Sequence, residues 1–330
     1  MTAAPVVGPQ FRWGFLGASR IGHRALAPAV QAAGHRLHAV AARDPARARA
    51  FADAFGAPRA YGSYAELLAD PGIDLVYVAL PNDAHAGWTI RALDAGKHVL
   101  CEKPLALSAE EVRHLQDAER RTGRHVMEAF CHLHHPQMAR VQDILGNGEI
   151  GRTVAIQAIF GNLLLPPDDF RWIAAHGGGA LYDLGCYCVS AMRVLTGCEP
   201  VRAAAVPAMQ GDVDATMTGQ LDFGDGLVGQ FACSFVSVRT QHLQMIGTKG
   251  TLFLDWPIST KGRDTRLDVN GRSEHFAATD PYVRMVEHFA AAVAGRAGMA
   301  YGLDWSLRQA QALDALFAAA RTVSVVSVPR

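Results

Sequence analysis

Four side chains in this 330-residue sequence have the types and spacing needed to hold and move a proton. Glu102 and Lys103 follow the apolar run "HVLC" and come directly before Pro104, which restricts the backbone of Lys103 to extended geometry. The Lys103 side chain therefore leaves the end of a predicted strand in a defined direction. Asp183 and Tyr187 are four residues apart in a predicted helix, so both side chains emerge on one face.

The helix that carries Asp183 and Tyr187 begins after three glycines, residues 177–179, which let a ligand or another chain segment approach closely. A carboxylate and a phenol stacked in this way can position a proton and tune its release. The same spacing also allows a structural interpretation, in which Tyr187 packs in the core and its hydroxyl bonds Asp183. The sequence leaves both interpretations open.

A second group of candidate residues lies in a glycine turn near the N-terminus. The stretch "GFLGASRIG" joins an apolar run to an alanine-rich helical pattern, which predicts strand, turn and helix. Gly17 and Gly22 fit the outer positions of the dinucleotide-binding pattern G-x-G-x-x-G, whereas Ser19 replaces the middle glycine. The residues that we predict to form this part of a dinucleotide site are Gly17, Ser19, Arg20, Ile21 and Gly22.

The end of the second predicted strand bears on the choice of dinucleotide. Enzymes that use NAD place a carboxylate there to hold the adenosine ribose, but this chain has Ala42 followed by Arg43 and Asp44. Position 42 has no carboxylate that would repel a 2′-phosphate, and Arg43 can pair with such a phosphate. We therefore expect NADP(H) to be favoured over NAD(H). The alternative is that Arg43 is a solvated residue and Asp44 caps the next helix.

The elements that must position these residues follow one pattern through the first third of the chain. Apolar runs at 12–16, 37–42, 73–80, 97–101 and 125–130 alternate with helical patterns, which predicts a doubly wound parallel sheet, an α/β Rossmann domain over 1–133. Ligands bind beyond the carboxyl ends of such strands. The other residues predicted to line the dinucleotide site there are Leu80, Pro81, Asn82, His85, Glu102 and Lys103.

The remainder of the chain, residues 134–330, has a different organisation. Extended segments from "TVAIQAIFG" onward, separated by glycine turns, accompany the Asp183 helix and two helices near the C-terminus. This pattern predicts an α+β domain with a large, mainly antiparallel sheet that leaves one face open. Open faces of this kind favour pairing between copies, so we expect a homodimer or homotetramer.

Composition excludes several classes of partner. Lys+Arg and Asp+Glu number 31 each, so the totals indicate neither a nucleic-acid-binding nor an anionic-membrane-binding surface. The N-terminus lacks an export signal and no apolar run is long enough to span a membrane, so we expect a cytoplasmic protein. The adjacent pair His134 and His135, with His132, lacks the partner set of a metal centre, and we expect no metal.

Several stretches together resemble the Gfo/Idh/MocA family of oxidoreductases. They are "GFLGASRIG", "AGKHVLCEKPLA", "EAFCHLHHPQ" and "GGGALYDLGCYCVSAMRVLTG", and the resemblance runs from about residue 12 to the C-terminus. It is nearest to the branch that holds glucose-fructose oxidoreductase, dimeric dihydrodiol dehydrogenase and NADP-xylose dehydrogenase. The resemblance implies a cleft between the two domains, in which Lys103 reaches both the substrate and the nicotinamide ring and Tyr187 is the acid/base.

The resemblance also identifies residues of the substrate pocket. This chain has His132-Leu133 where the branch has a Tyr-Arg pair, and His134 follows, which argues against a strongly anionic substrate. The candidate substrate residues are His132, His134, Arg171 and Trp172.

The function implied is hydride transfer between NAD(P) and a secondary alcohol or carbonyl of a sugar, polyol or dihydrodiol. In this hypothesis Lys103 favours the phenolate of Tyr187, and Asp183 orients both side chains. The alternatives are a glycosidase or epimerase that holds NAD tightly, and a dinucleotide-binding sensor.

Overall fold

Six parallel strands form the first sheet of the structure, a computed structural model that describes residues 10–164 and 166–329. The strand order is β3-β2-β1-β4-β5-β6, and helices connect the strands on both faces. The strands are β1 (Arg12–Leu16), β2 (Arg36–Ala41), β3 (Arg59–Tyr61), β4 (Leu75–Val78), β5 (His98–Cys101) and β6 (Val126–Glu128). The helices are α1 (Ala27–Ala32), α2 (Pro45–Ala54), α3 (Tyr64–Leu68), α4 (His85–Asp94) and α5 (Ala109–Thr122).

This sheet confirms the predicted doubly wound Rossmann architecture. Strand β1 pairs in parallel with β2 on one side and with β4 on the other, so the strand order reverses beside β1. The carboxyl ends of β1, β4 and β5 therefore meet where a ligand crevice is expected. Strand β3 was not predicted, because it is a three-residue edge strand without the apolar run that identified the other five.

Nine strands form the second sheet, in the order β14-β13-β12-β11-β7-β10-β9-β8-β15. All of its strand pairs are antiparallel except β10 with β7, which confirms the predicted mainly antiparallel sheet. The strands are β7 (Thr153–Gly161), β8 (Arg202–Gln210), β9 (Val213–Asp222), β10 (Val228–Ser234), β11 (Thr240–Gly247), β12 (Thr251–Leu254), β13 (Thr265–Val269), β14 (Arg272–Phe276) and β15 (Val326–Ser327).

One face of the second sheet is covered by helices and the other is open. The four remaining helices are α6 (Pro136–Gly146), α7 (Cys186–Thr196), α8 (Pro281–Val293) and α9 (Leu303–Thr322). Helices α6, α7 and α9 bury apolar side chains against the covered face in a single core. On the open face, Val206 and Ile246 remain exposed.

Helix α8 returns to the parallel sheet, although it lies late in the chain. Met285, Val286 and Phe289 are buried in the same core as Trp13, and the rings of Trp13 and Phe289 lie 5.9 Å apart. The division of the chain into 1–133 and 134–330 stays a prediction. Helix α8 belongs to the second of these segments but packs against the sheet formed by the first. Within the described residues, the helices are each too short or too polar to cross a membrane.

Candidate active site

A cleft of about 990 Å³ opens at the carboxyl ends of β1, β2, β4 and β5, and Pro166 and residues 168–171 of the second unit also line it. This volume is within the range of small-molecule sites. Of the twelve residues predicted for the dinucleotide site, all but Gly22 line the cleft. The residues are scattered over 17–103 in sequence, and the parallel strands bring them together.

The glycine turn allows the cleft to form. Gly17 has a φ of +102°, and a Cβ atom at this position would lie 2.5 Å from the carbonyl oxygen of Ala79. Only glycine permits this close approach of two strand ends. The Ser19 Oγ accepts a hydrogen bond from the Gly22 nitrogen at 3.0 Å, so the residue that departs from the pattern caps the following helical turn. The turn and helix start fit the phosphates of a dinucleotide.

Two arginines lie at the end of the cleft beside β2. Arg43 and Arg47 both line it and are exposed, while Ala42 is buried. Asp44 accepts a hydrogen bond from the Ala46 nitrogen at 2.9 Å and caps α2. The alternative interpretation of this stretch was therefore correct in assigning Asp44 as the helix cap. Sequence reasoning missed Arg47, which lies in the first turn of α2 and lines the cleft together with Arg43, the residue before the helix cap.

Lys103 and Asp183 meet at the opposite end of the cleft. The Lys103 Nζ donates to the Asp183 Oδ1 at 2.7 Å and to the Asp183 carbonyl oxygen at 2.8 Å. The Asp183 Oδ2 accepts from the Arg171 Nε at 3.0 Å. Burial opposes the charge on Lys103, but Asp183 outweighs it and holds the pKa of Lys103 above its ordinary value. Burial likewise opposes the carboxylate, yet Lys103 and Arg171 hold the pKa of Asp183 well below its usual range.

Tyr187 lies against Lys103 but does not line the 990 Å³ cleft. The Lys103 Nζ is 4.9 Å from the centre of the Tyr187 ring, which is a cation–π distance. Burial, followed by the proximity of Cys131, raises the pKa of Tyr187 well above its ordinary value. Lys103 is not among the main causes of this shift, and its charge is paired with Asp183. The expectation that Lys103 favours the phenolate stays a prediction.

The structural interpretation of the Asp183 and Tyr187 pair holds for the packing of the Tyr187 ring against the core but not for a hydrogen bond to Asp183. In the described residues, the side-chain oxygens of Asp183 receive hydrogen bonds from Lys103 and Arg171 and not from the Tyr187 hydroxyl. The Tyr187 ring instead contacts Phe130 and Phe160 edge-on, at 5.5 and 5.7 Å between centres. The helix therefore aims its carboxylate at the cleft and packs its phenol ring among aromatic side chains.

Buried polar residues brace the chain around Lys103. The two ring nitrogens of His85 lie 2.7 Å from the Pro104 carbonyl oxygen and 2.9 Å from that of Leu80, so His85 ties the ends of β4 and β5 together. Glu102 accepts a hydrogen bond from the Tyr77 hydroxyl at 2.5 Å, and burial raises the pKa of Glu102. Asn82 donates to the Gly177 carbonyl oxygen at 2.9 Å and thereby joins the two units.

The predicted substrate residues divide into two groups. Arg171 lines the cleft, whereas His132, His134 and Trp172 do not. The His132 ring is fully buried behind Tyr187, 5.1 Å away between centres, and burial lowers its pKa to about 3. His134 packs against His288 and Tyr301, and burial also lowers its pKa to about 3. In residues 10–164 and 166–329 no cluster of three His, Cys, Asp or Glu side chains could hold a metal ion.

Comparison with known proteins identifies the class to which this site belongs. Residues 11–130 match the family model of an oxidoreductase family with an NAD-binding Rossmann fold, and residues 138–253 match the GFO/IDH/MocA C-terminal domain. The chain belongs to the GFO/IDH/MocA family of oxidoreductases, which confirms the resemblance. It is an NAD(P)-dependent oxidoreductase.

Three similar proteins illustrate the range of the family. The D-xylose 1-dehydrogenase (NADP(+)) 2 of Haloferax volcanii is 37% identical, over 96% of this chain and 99% of that protein. The trans-1,2-dihydrobenzene-1,2-diol dehydrogenase of Mus musculus is 36% identical, over 80% of this chain and 79% of that protein. The crystal structure of KijD10, a 3-ketoreductase from Actinomadura kijaniata, in complex with NADP and TDP-benzene has a TM-score of 0.88 at 31% identity and covers 94% of this chain and 98% of that one.

Proposed function

We propose that this protein is an NADP(H)-preferring enzyme that transfers a hydride between the cofactor and a secondary alcohol or carbonyl of a sugar, polyol or dihydrodiol. The observation that carries the proposal is the meeting of Lys103 and Asp183 across the cleft, with the Tyr187 ring 4.9 Å from the ammonium. These three side chains come from two units and lie beyond the dinucleotide-binding strand ends.

The preference for NADP(H) is supported by the cations beside β2. Arg43 and Arg47 line the cleft next to Ala42, so a 2′-phosphate there meets positive charge and no carboxylate from position 42. Arg47 is oriented by a hydrogen bond from its Nη2 to the Ala18 carbonyl oxygen at 3.0 Å. Two of the relatives named above also carry NADP in their descriptions.

The roles of the chain's own residues follow from their hydrogen bonds and protonation. The bound nicotinamide gives or accepts the hydride. An ammonium has three donors, and Asp183 receives two of those of Lys103, which leaves the third for the substrate oxygen. In reduction the Tyr187 phenol donates its proton to the carbonyl oxygen and becomes a phenolate; in oxidation the phenolate takes the proton of the alcohol and becomes a phenol again. Asp183 keeps Lys103 charged and oriented.

A neutral, hydroxyl-rich substrate fits the charges at this end of the cleft. Lys103 pairs with Asp183, and Arg171 pairs with both Asp183 and Asp169, so two carboxylates already compensate these two cations before a substrate binds. An anionic substrate would have to compete with a buried carboxylate for them. Sugars, polyols and dihydrodiols need hydrogen bonds and no charge compensation, and the names of the relatives point to the same classes.

The test is an activity screen with NADP⁺ and NAD⁺ against aldoses, inositols and trans-dihydrodiols, followed by nicotinamide absorbance. We expect net reduction of NADP⁺ with at least one class and a higher kcat/KM with NADP⁺ than with NAD⁺. Conversion of a substrate without net change in nicotinamide would favour the tight-NAD glycosidase or epimerase alternative. Cofactor binding without conversion of any class would favour a sensor.

We further propose that two copies pair through the open face of the second sheet. The four residues Gln220, Gln230, Gln157 and Gln244 are directly paired neighbours across β9, β10, β7 and β11 and form a ladder across this face. The next row, Val206, Thr218, Ala232, Ile159 and His242, is also free of acidic side chains and of Lys or Arg. Depletion of charge is the compositional mark of an interface core.

Six free thiols, five of them buried, accord with the predicted cytoplasmic location.

A further inference from the structure

Five side chains of alternating charge form a continuous chain along the cleft. Each contact is an ion pair: 3.0 Å from Arg20 to Asp169, 3.0 Å from Asp169 to Arg171, 3.0 Å from Arg171 to Asp183 and 2.7 Å from Asp183 to Lys103. Arg20 belongs to the glycine turn, where the phosphates of a dinucleotide are expected. Lys103 belongs to the reacting end. The chain of ion pairs thus runs from the expected position of the pyrophosphate, in the middle of the dinucleotide, to the reacting end.

The chain of ion pairs crosses between the two units of the molecule twice. Arg20 and Lys103 follow strands of the parallel sheet, whereas Asp169, Arg171 and Asp183 belong to the second unit. The connection from Arg20 to Lys103 through these ion pairs therefore depends on the segment around Asp169, which pairs with Arg20 on one side and Arg171 on the other. A displacement of that segment would change the contacts at both ends.

Asp169 is the fixed member that joins the exposed end of this chain to the buried one. Its side chain is 6% exposed, whereas that of Arg20 is 74% exposed and that of Arg171 is 27% exposed. The Asp169 Oδ1 also accepts a hydrogen bond from the Arg171 backbone nitrogen at 3.1 Å and so caps the turn that presents Arg171. The neighbouring carboxylate, Asp168, is exposed and forms no ion pair in the part of the chain that the structure describes.

We propose that Asp169 is a positioning residue that couples the pyrophosphate position of the cofactor site to the catalytic lysine. Its Oδ2 holds Arg20 across the cleft, and its Oδ1 holds Arg171 against Asp183, which in turn orients Lys103. The inference rests on the proposed function, because it requires a dinucleotide in the cleft. It adds a residue from outside the glycine turn and outside the Lys103, Asp183 and Tyr187 set.

Loss of the Asp169 charge has a predictable effect at each end. Arg20 loses its anchor, so the cofactor phosphates lose a fixed cation and the cofactor dissociates faster. Arg171 keeps its full charge toward Asp183, so Lys103 is left in a more positive surrounding and its ammonium form is less favoured. The alkaline limb of the kcat profile therefore moves to lower pH. A residue that only kept the segment folded would produce the first effect without the second.

The experiment compares Asp169→Asn with Asp212→Asn, which removes the same charge from an exposed carboxylate in the turn between β8 and β9, outside the cleft. The first measurement is the NADPH dissociation rate by stopped-flow fluorescence. The second is the pH dependence of kcat. We expect Asp169→Asn to raise the dissociation rate about tenfold and to move the alkaline limb down by about half a pH unit or more, with Asp212→Asn close to the wild type. Asp169→Glu is expected to restore part of both effects.

A second variant protects the test against misfolding. Arg20 is mostly exposed, so Arg20→Gln leaves the fold intact, and Arg20→Gln with Asp169→Asn is expected to dissociate NADPH little faster than either single variant. Full additivity, or equal behaviour of Asp169→Asn and Asp212→Asn, would overturn this inference alone, as would faster dissociation with an unmoved pH limb. If the wild type binds neither dinucleotide, the proposed function falls and this inference falls with it.

Discussion

The preference for NADP(H) gives the most direct quantitative prediction, through Arg43 and Arg47. Replacing Arg43 by Ala is expected to weaken NADPH binding while leaving NADH binding within about twofold. The reason is that Arg43 lines the cleft beside Ala42, where only the phosphorylated ribose carries the extra charge. A parallel Arg47→Ala variant tests the second cation, which sequence reasoning did not identify.

The size of the effect follows from the exposure of these side chains. A hydrogen bond to a charged group contributes about 1.5–3 kcal/mol. Both arginines are exposed, so solvent screening places each contribution near the lower end of that range. A free energy of about 1.4 kcal/mol is tenfold in affinity, so each single variant should bind NADPH about tenfold more weakly. Raising the ionic strength should reduce the wild-type preference toward that of the variants.

The assay is a fluorescence titration of each variant with NADPH and with NADH at two ionic strengths. Arg49→Ala is the matched control, because Arg49 is an exposed arginine of the same helix that pairs loosely with Asp53 at 3.7 Å and lies outside the cleft. We expect Arg49→Ala to bind both dinucleotides as the wild type does. Equal weakening of NADPH and NADH by Arg43→Ala would refute the reasoning, because it would locate the effect outside the 2′-phosphate.

Three further predictions concern catalysis, stability and assembly. Tyr187→Phe and Lys103→Met should bind NADPH nearly normally but lose roughly a hundred- to ten-thousand-fold in single-turnover hydride transfer, and full turnover of Tyr187→Phe at every pH would contradict the role of the phenol. Burial raises the pKa of Glu128 to about 7, so the native state binds its proton more tightly than the unfolded state. The stability that this proton confers is therefore present below about pH 4.5 and is lost as the pH rises through about 7. The free energy of unfolding of the wild type should accordingly fall relative to Glu128→Gln between about pH 4.5 and 7, by at most about 3 kcal/mol in urea titrations, and a constant difference would refute this assignment. Gln230→Lys, at the centre of the glutamine ladder, should halve the particle mass in light scattering, whereas Ala50→Lys on the exposed side of α2 should not; an unchanged mass would place the interface elsewhere.

The sequence was sufficient for the fold wherever an apolar run identified a buried strand. Five of the six parallel strands were predicted from such runs, and β3 was missed because its three residues, Arg59–Tyr61, are not fully buried. The packing of α8 could not be predicted, because an amphipathic helix does not specify which of two cores it covers. Met285 and Phe289 would satisfy either core.

The site was predictable where a residue type and a strand end coincide, as at Gly17, Arg43 and Lys103. It was not predictable where the contact joins distant parts of the chain. Asp169 is 149 residues from its partner Arg20, and nothing in the neighbourhood of either residue signals the other. The direction of side chains was also not predictable within the short helical turn Cys131–His134, which buries His132 and sends His134 away from the cleft.

The ion pairs around Lys103 bear on how the proton moves. A lysine that activates a phenol needs a positive charge that no other group compensates. Lys103, however, is bound to both the carboxylate and the backbone oxygen of Asp183. Burial keeps Tyr187 neutral, so the ammonium is better placed to stabilise negative charge that develops on the substrate oxygen than to create a phenolate in advance. In the proposed mechanism, carbonyl reduction uses both groups in their protonated forms, with Lys103 donating a hydrogen bond and Tyr187 donating the proton. Alcohol oxidation must first remove a proton against the same burial, so it should gain more in rate than reduction does as the pH is raised.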